Sequence, residues 1–247
     1  MSDATIEKKN LVVLGVCAHA DDLDAGAGGT FAKWAEEGAS CHYLVCTNGS
    51  SGCIDPEKSR DDLINERRKE QLAAAKVIGI KEVHFLDYND TELVADMKLK
   101  KDIVFWIRKL KPDIVVTTDP TFVYSKSGFI NHSDHRAAGL ATLDAIYPLA
   151  GNAFAFRELN KDGIGPHKVP IVYLINFVDG NEMVDITTTI GKKERALSEH
   201  KSQALGHNTE FARARGRAAG AKAGYEYAES FIKLDRSAAI GRQTIQK

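Results

Sequence analysis

LVVLGVCAHADDLDAGAGGT, residues Leu11 to Thr30, decides how the chain is read. Leu11 to Ala18 is a continuous apolar run of the length of a buried strand. It breaks at once into His19-Ala20-Asp21-Asp22, and from Thr30 to Glu37 the apolar spacing turns helical until Gly38 stops it. A buried strand that passes through an acid-rich turn into a helix is the opening of a βαβ unit. The alternation continues outward. Strands are expected at 41–47, 83–87, 113–118, 169–177 and, more weakly, 183–187, and helices at about 59–78, 98–110, 135–147, 192–204 and 210–223. This pattern predicts an α/β fold, Rossmann-like, with a mostly parallel sheet flanked by helices on both faces and joined by right-handed crossovers. No repeat, low-complexity segment or Pro/Gly-rich linker divides the chain. One domain over 1–247 is expected, with its core at about 10–233 and a surface tail at about 234–247.

Composition agrees with an ordinary globular protein. The 247 residues are 43% hydrophobic and 27% charged, and 33 Lys+Arg against 34 Asp+Glu leave a formal charge of −1. A chain of this size buries on the order of 70% of the surface its unfolded form exposes, enough for a full core. Near-zero net charge supplies no global basic field for nucleic acid. No run reaches the ~18 apolar residues of a membrane span, and the polar start MSDATIEKKN is not expected to be a signal peptide. Cys17, Cys41, Cys46 and Cys53 form no C-x-x-C pair, so reduced thiols and a cytoplasmic location are expected.

In open parallel sheets ligands bind beyond the carboxyl ends of the strands. Three such ends carry chemistry: His19-Ala20-Asp21-Asp22 after the first strand, Asp87-Tyr88-Asn89-Asp90 after the third, and Asn131-His132-Ser133-Asp134-His135 in the segment following the fourth. His-x-Asp-Asp alone is equally the pattern of an acidic helix N-terminus. Two His/Asp clusters at strand ends of one sheet point instead to a hydrolytic metal site. Catalytic zinc takes three ligands from His and Asp/Glu and keeps a fourth position for water, and a nearby carboxylate outside the ligand set can take the proton from that water. Asp21 and Asp22 leave the backbone in different directions, so one can ligate while the other faces the water. His132 and His135, three apart, share one side of a helical turn, which admits a ligand and a polarising group. Asp134 can orient a histidine. Residue types and spacing leave open which Asp and which His ligates.

AHADDLDAGAGGT (Ala18 to Thr30) together with NHSDHRAAG (Asn131 to Gly139) resembles the LmbE/PIG-L family of zinc-dependent N-deacetylases. That family's first motif reads A-H-P-D-D followed by a glycine pair, and its second reads H-x-D-H. The charged stretch from Arg67 through Glu70 to Gly79, FLDYNDTEL (Phe85 to Leu93) and HKSQ (His200 to Gln203) extend the likeness over residues 10 to about 205. The resemblance implies Zn2+ held by His19, Asp22 and His135, with Asp21 as general base. His132, cationic, would stabilise the oxyanion or protonate the leaving amine, with Asp134 holding it. Asp90, Arg67 and Arg68 would line the substrate pocket. The implied reaction is hydrolysis of the acetamide of an N-acetylglucosamine-type sugar or conjugate, metal-bound water attacking the amide carbonyl. Ala20 stands where the family usually has Pro, Asp24 where many members carry Glu, and Ile130 where some carry Tyr, with Tyr124 six residues earlier.

Two other readings compete. His-x-Asp with a distant His also spells the facial triad of a non-haem Fe(II) oxygenase, whose usual setting is an all-β barrel. A non-catalytic sugar- or nucleotide-binding module is the other. A small-molecule amino-sugar is the expected partner, without nucleic acid or a membrane span, and a homo-oligomer is possible. The segments 47–60, 121–131 and 151–168 are expected to decide the substrate. Gly26, Gly28 and Gly29 are read as close packing against the site, not a phosphate cradle. His42 and His84 are read as satisfied structural histidines, and Trp34 and Trp106 as core. Arg213, Arg215 and Arg217 are read as a solvated surface or subunit contact. His200 is left between capping a helix, entering its own pocket and reaching a neighbouring subunit.

Overall fold

The computed structural model describes residues 10–245, apart from 54, 56, 127, 162, 179 and 204–208. The polar start 1–9, Pro56 in the expected loop and the end of the helix expected to reach Ala204 lie outside the described residues. Seven strands form one sheet: β1 (Val12–Cys17), β2 (Ser40–Thr47), β3 (Glu82–Tyr88), β4 (Ile114–Thr118), β5 (Ile171–Ile175), β6 (Glu182–Asp185) and β7 (Ala228–Asp235). Their order is β3-β2-β1-β4-β5-β7-β6. The first five are parallel, with Leu14 beside His42 on one flank and Val115 on the other, while β7 runs antiparallel to both β5 and β6.

Side chains of β1 alternate between two apolar layers, as a strand covered on both faces requires. Val13 and Cys17 join a cluster with Leu23 and Phe31 of α1 (Asp22–Glu36), Ala74 and Ile78 of α2 (Arg60–Ile78), and Ile190 and Ala196 of α5 (Ile190–Glu199). Leu14 and Val16 join the opposite cluster, with Leu99, Ile103, Val104 and Ile107 of α3 (Met97–Leu110) and Ala138 and Ala141 of α4 (Ser133–Asp144). Local chemistry sets the helix ends. The Ser59 hydroxyl accepts from the Asp62 N–H at the start of α2, and Gly79, at φ 94°, ends it in the left-handed conformation that glycine adopts at no steric cost. At Gly139 an added Cβ would lie 2.2 Å from the Thr118 carbonyl oxygen, so glycine is what lets α4 rest on the end of β4.

Four expectations need correction. The stretch from Leu234 is mostly exposed, as a surface tail would be, but it carries regular structure: β7 runs to Asp235 and α7 (Ser237–Ile245) follows. β7 escapes sequence patterning because Glu229 and Ser230 are buried within it. The Glu229 carboxylate meets the Lys193 ammonium at 2.5 Å and accepts from the N–H groups of Gly29 and Thr30. The helix expected to run to Tyr147 ends at Asp144 and continues as a wider turn over Ala145–Ala150, and the helix expected to reach 204 ends at Glu199, before a short turn at Lys201–Gln203. Gly26 and Gly29 pack closely as expected, but against Ile175 and Ile186 in the core, not against the site.

α6 (Thr209–Ala223) carries the three spaced arginines. Arg213 pairs with Glu194, Arg215 lies over Phe177 and Phe211, and Arg217 donates to Tyr227. Trp34 is buried as expected, whereas Trp106 is only half-buried. The four cysteines are unbonded, and burial pushes Cys41 up to about 12. Among the described residues no helix is long and apolar enough to cross a membrane.

Candidate active site

The strand order reverses direction between β1 and β4, and a crevice opens beyond the carboxyl ends of strands at such a switch point. There the structure has a cavity of about 300 Å³ lined by His19, Asp21, Asp22, Ser51, Gly52, Arg67, Asp90, Thr91, His132, His135 and Gln203. β1 delivers His19 and the two aspartates, β3 delivers Asp90, and the segment after β4 delivers the two further histidines at the start of α4.

His19, Asp22 and His135 each bring one ligand atom to within 4.8 Å of the others. His19 Nδ1 is 3.2 Å from His135 Nε2, and Asp22 reaches His135 Nε2 at 3.0 Å and His19 Nδ1 at 3.6 Å. The far side of each ring fixes which nitrogen faces inward. His19 Nε2–H donates to Asp90 at 3.1 Å and lies 3.4 Å from Asp134. His135 Nδ1–H donates to the Asn131 amide oxygen at 3.1 Å, and the Asn131 amide nitrogen in turn donates to the Phe122 carbonyl. Both outward nitrogens therefore carry hydrogens, and the inward pair presents two lone pairs to each other beside a carboxylate. Two facing lone pairs repel unless a cation lies between them. A proton can do this, and so can a metal ion, which is the role imidazole and carboxylate donors with outward hydrogen-bond partners are suited to. Burial opposes a charge on His19, but hydrogen bonds with Asp134, Asp22 and Asp90 push it up to about 12. Burial raises and the two histidines lower Asp22, with the histidines prevailing, so it stays ionised. The donor set fits a divalent ion.

Asp21 stands beside this cluster in a strained backbone, at φ 99° and ψ −30°. Such a conformation costs on the order of 1–3 kcal/mol in a non-glycine residue. Its N–H is held by the Gln71 amide oxygen at 2.9 Å, and Arg67 spans from the Ala20 carbonyl at 3.0 Å to the Asp21 carboxylate at 3.4 Å. Arg67 is buried and lines the cavity, and an added Cβ at Gly52 would sit 2.3 Å from its guanidinium. Arg68 is different. It lies on the outer side of α2, paired with Asp87 and stacked over Phe85, and the structure does not bring it into the cavity.

His132 caps α4: its Nδ1 accepts the Asp134 N–H at 3.1 Å, leaving Nε2 on the outer side of the ring. Burial first, then the positive charge at His19, hold His132 below the ordinary imidazole range. This direction runs against the cationic His132 that the resemblance implies. The Asp134 carboxylate does not grip His132 closely, at 4.0 Å from Nδ1. It accepts from the Thr91 N–H at 2.7 Å and the Leu93 N–H at 3.3 Å and sits against His19.

Ser51 carries no signal in the sequence, and Asn131, Thr91 and Gln203 enter it only as members of longer motifs, since an uncharged side chain does not announce a role by its type. HKSQ turns out to be a set of tethers. His200 enters its own chain and bonds Asp24 at 2.9 Å, Ser202 bonds Glu70 through both its N–H and hydroxyl, and Gln203 donates to the Gly52 carbonyl at 2.5 Å on the cavity rim. Tyr124 and Ile130 pair in a short bridge and are both exposed, away from the cavity lining.

Comparisons with known proteins agree with this geometry. The chain is 36% identical over 77% of its length to 69% of the diacetylchitobiose deacetylase of Thermococcus kodakarensis. It is 28% identical to a 1D-myo-inositol 2-acetamido-2-deoxy-alpha-D-glucopyranoside deacetylase of Streptomyces scabiei, covering 77% of this chain and 76% of that one. Among solved structures, the N,N'-diacetylchitobiose deacetylase of Pyrococcus horikoshii in complex with its inhibitor superposes with a TM-score of 0.85 at 29% identity, covering 94% of this chain and 87% of that one. Residues 14–146, which carry both histidine clusters, match the family model described as PIG-L, GlcNAc-PI de-N-acetylase, and the chain belongs to that family.

Proposed function

We propose that the chain is a zinc-dependent N-deacetylase acting on an N-acetylglucosamine-type sugar or conjugate, as one domain. The observation that carries this reading is the convergence of His19, Asp22 and His135 in one cavity that Asp21 and His132 also line. The names of the relatives support the substrate class. The α/β sheet is not the usual setting of a facial-triad oxygenase.

When bound by those three residues, Zn2+ would supply Lewis acidity, lowering the pKa of water and polarising the acetyl carbonyl. The chain's own groups do the rest. Asp21, oriented by Arg67 and Gln71, accepts the proton of the attacking water at its carboxylate. His132, kept neutral, offers an Nε2–H toward the developing oxyanion as a hydrogen-bond donor. A neutral imidazole is a poor acid, so the proton that returns to the leaving amine is the one Asp21 has taken. Asp90 and Arg67 line the same cavity and stand where sugar hydroxyls would be met.

Acetate release from a panel of N-acetylglucosamine derivatives tests the proposal, with chelated protein and Asp21→Asn beside the zinc-loaded chain. Asp21→Asn is expected to retain stoichiometric zinc and to lose at least about 10²-fold in kcat, the scale of general base catalysis. Release that survives either chelation or Asp21→Asn refutes the mechanism, and no release from any derivative refutes the substrate class.

A further inference from the structure

A second group of metal-ligating side chains lies away from the cavity, at the edge of the sheet. His42 of β2 and His84 and Glu82 of β3 bring one ligand atom each to within 4.8 Å of one another. They share the face that α3 covers: His42 and Glu82 are register partners across the two strands, and His84 lies two residues beyond Glu82. β3 is the outermost strand on this side, so Glu82, 62% exposed, opens the group to solvent.

The two histidines were expected to be satisfied structural residues, and they are not. His42 is 4% and His84 7% exposed, yet His42 Nδ1 and His84 Nε2 have no hydrogen-bond partner among the described residues. Each ring is held in place by its surroundings. His42 Nε2 is engaged by the Ser40 hydroxyl at 3.1 Å, and the His84 ring stacks on Trp106 at 3.7 Å between centroids. The two imidazoles lie parallel, 9° apart, and Glu82 approaches His84 Nε2 to 3.7 Å. Ligand atoms around a tetrahedral zinc sit about 3.4 Å apart, as bond lengths near 2.1 Å dictate. Closing from 3.7 Å needs only a small rotation of an exposed glutamate.

Protonation does not fill the gap. Burial holds both imidazoles below their ordinary range, helped at His42 by His84 and Lys81 and at His84 by Lys109, against the raising influence of Glu82. Two buried imidazoles, each with a ring nitrogen that has no hydrogen-bond partner among the described residues, beside a carboxylate form a donor set suited to a borderline divalent cation. We propose that His42, Glu82 and His84 form a second, non-catalytic site for Zn2+ that clips the edge strand β3 to β2. The proposal is independent of the reading of the cleft.

Equilibrium dialysis of the full chain against buffered free Zn2+, followed by elemental counting, tests it. The native sequence is expected to hold two equivalents, and His84→Gln and Glu82→Gln one each. Glu82 is exposed, so its variant keeps the test open if His84→Gln fails to fold. Cu2+ offered to the same site is expected to quench Trp106 emission, through its contact with His84, and both variants are expected to lose that quench. His135→Ala, which removes a ligand of the cleft, is expected to leave the quench intact, so failure at one site is separable from failure at the other. A zinc count that Glu82→Gln and His84→Gln both leave unchanged, or a native chain whose Trp106 emission Cu2+ does not quench, overturns the proposal.

Discussion

Asn131→Ala tests what orients His135, one of the three proposed metal ligands, without removing any of them. His19 is fixed on its outer side by two carboxylates, Asp90 at 3.1 Å and Asp134 at 3.4 Å, whereas the outer nitrogen of His135 meets the Asn131 amide oxygen at 3.1 Å. Truncating Asn131 removes that acceptor, frees the ring to rotate or to change tautomer, and leaves an outward N–H without its partner. Residues behind a ligating histidine are typically worth 10–100-fold in metal affinity, or about 1.4–2.7 kcal/mol at 1.36 kcal/mol per decade. Losing the bond to the Phe122 carbonyl loosens the same turn, so a value toward the upper end is expected. Asp90→Asn retains an acceptor atom and leaves Asp134 in place, so a loss of about tenfold or less is expected there. Asn131→Asp keeps the acceptor and adds charge, and is expected to hold zinc at least as tightly as the native chain. Competition against a chelating dye at fixed pH measures all three. If Asn131→Ala binds zinc as the native chain does, or Asp90→Asn costs more than Asn131→Ala, the argument from outward hydrogen bonds is wrong.

Three predictions concern the scaffold. Gly139→Ala forces a Cβ against the Thr118 carbonyl, and a loss of about 1–3 kcal/mol is expected; an unchanged urea midpoint would show that α4 shifts freely. Arg108, fully buried on α3, donates to the carbonyls of Leu149, Ala150, Asn152 and Ala155 and to the Asn160 side chain. Arg108→Met strands several of these acceptors at ~1–3 kcal/mol apiece before relaxation, so a net loss of roughly 3 kcal/mol is expected, with faster proteolysis within 149–160; a loss below about 1 kcal/mol contradicts it. Hydrogen bonds from Arg213 hold Glu194 below its ordinary value. A carboxyl depressed in the folded state stabilises above its unfolded pKa, and that contribution fades as pH falls through the folded value. Glu194→Gln is therefore expected to flatten the stability curve below pH 4.5, and an acid limb identical to the native one rules the pair out as a contributor.

The parallel half of the sheet was legible because each strand from Leu11 to Thr118 is a short apolar run ended by a polar turn, and burial on both faces leaves no other reading. The far edge was not. Residues 228–235 carry Glu229 and Ser230 where a strand pattern would want apolar residues, and the Lys193 ammonium with the N–H groups of Gly29 and Thr30 makes the buried Glu229 carboxylate acceptable. In the site, the charged and imidazole groups could be found from spacing. The division of labour proposed for Asp21 and Asp22 could not, because the placement of Asp21 goes with a backbone angle of φ 99° that no residue type announces. His132 illustrates the same limit. Its lowered pKa follows from burial first and then from the company of His19, both of which are facts about three-dimensional neighbours. Arg68 looked equivalent to Arg67 in sequence, but one helical step of about 100° separates a cavity wall from the outer surface.

His19 and His135 lie 116 positions apart and converge only where β1 meets β4. An emerging or unfolded chain has no cheap way to hold both on one ion, since closing so long a loop costs entropy before any bond is gained. An ion held as proposed would therefore be selective for the finished molecule. It could not seed assembly, yet by mass action Zn2+ would add RT ln(1 + [Zn]/Kd) to the stability of the assembled state alone. Starvation for metal would then act on this protein twice, silencing the cleft and shortening the life of the chain that carries it.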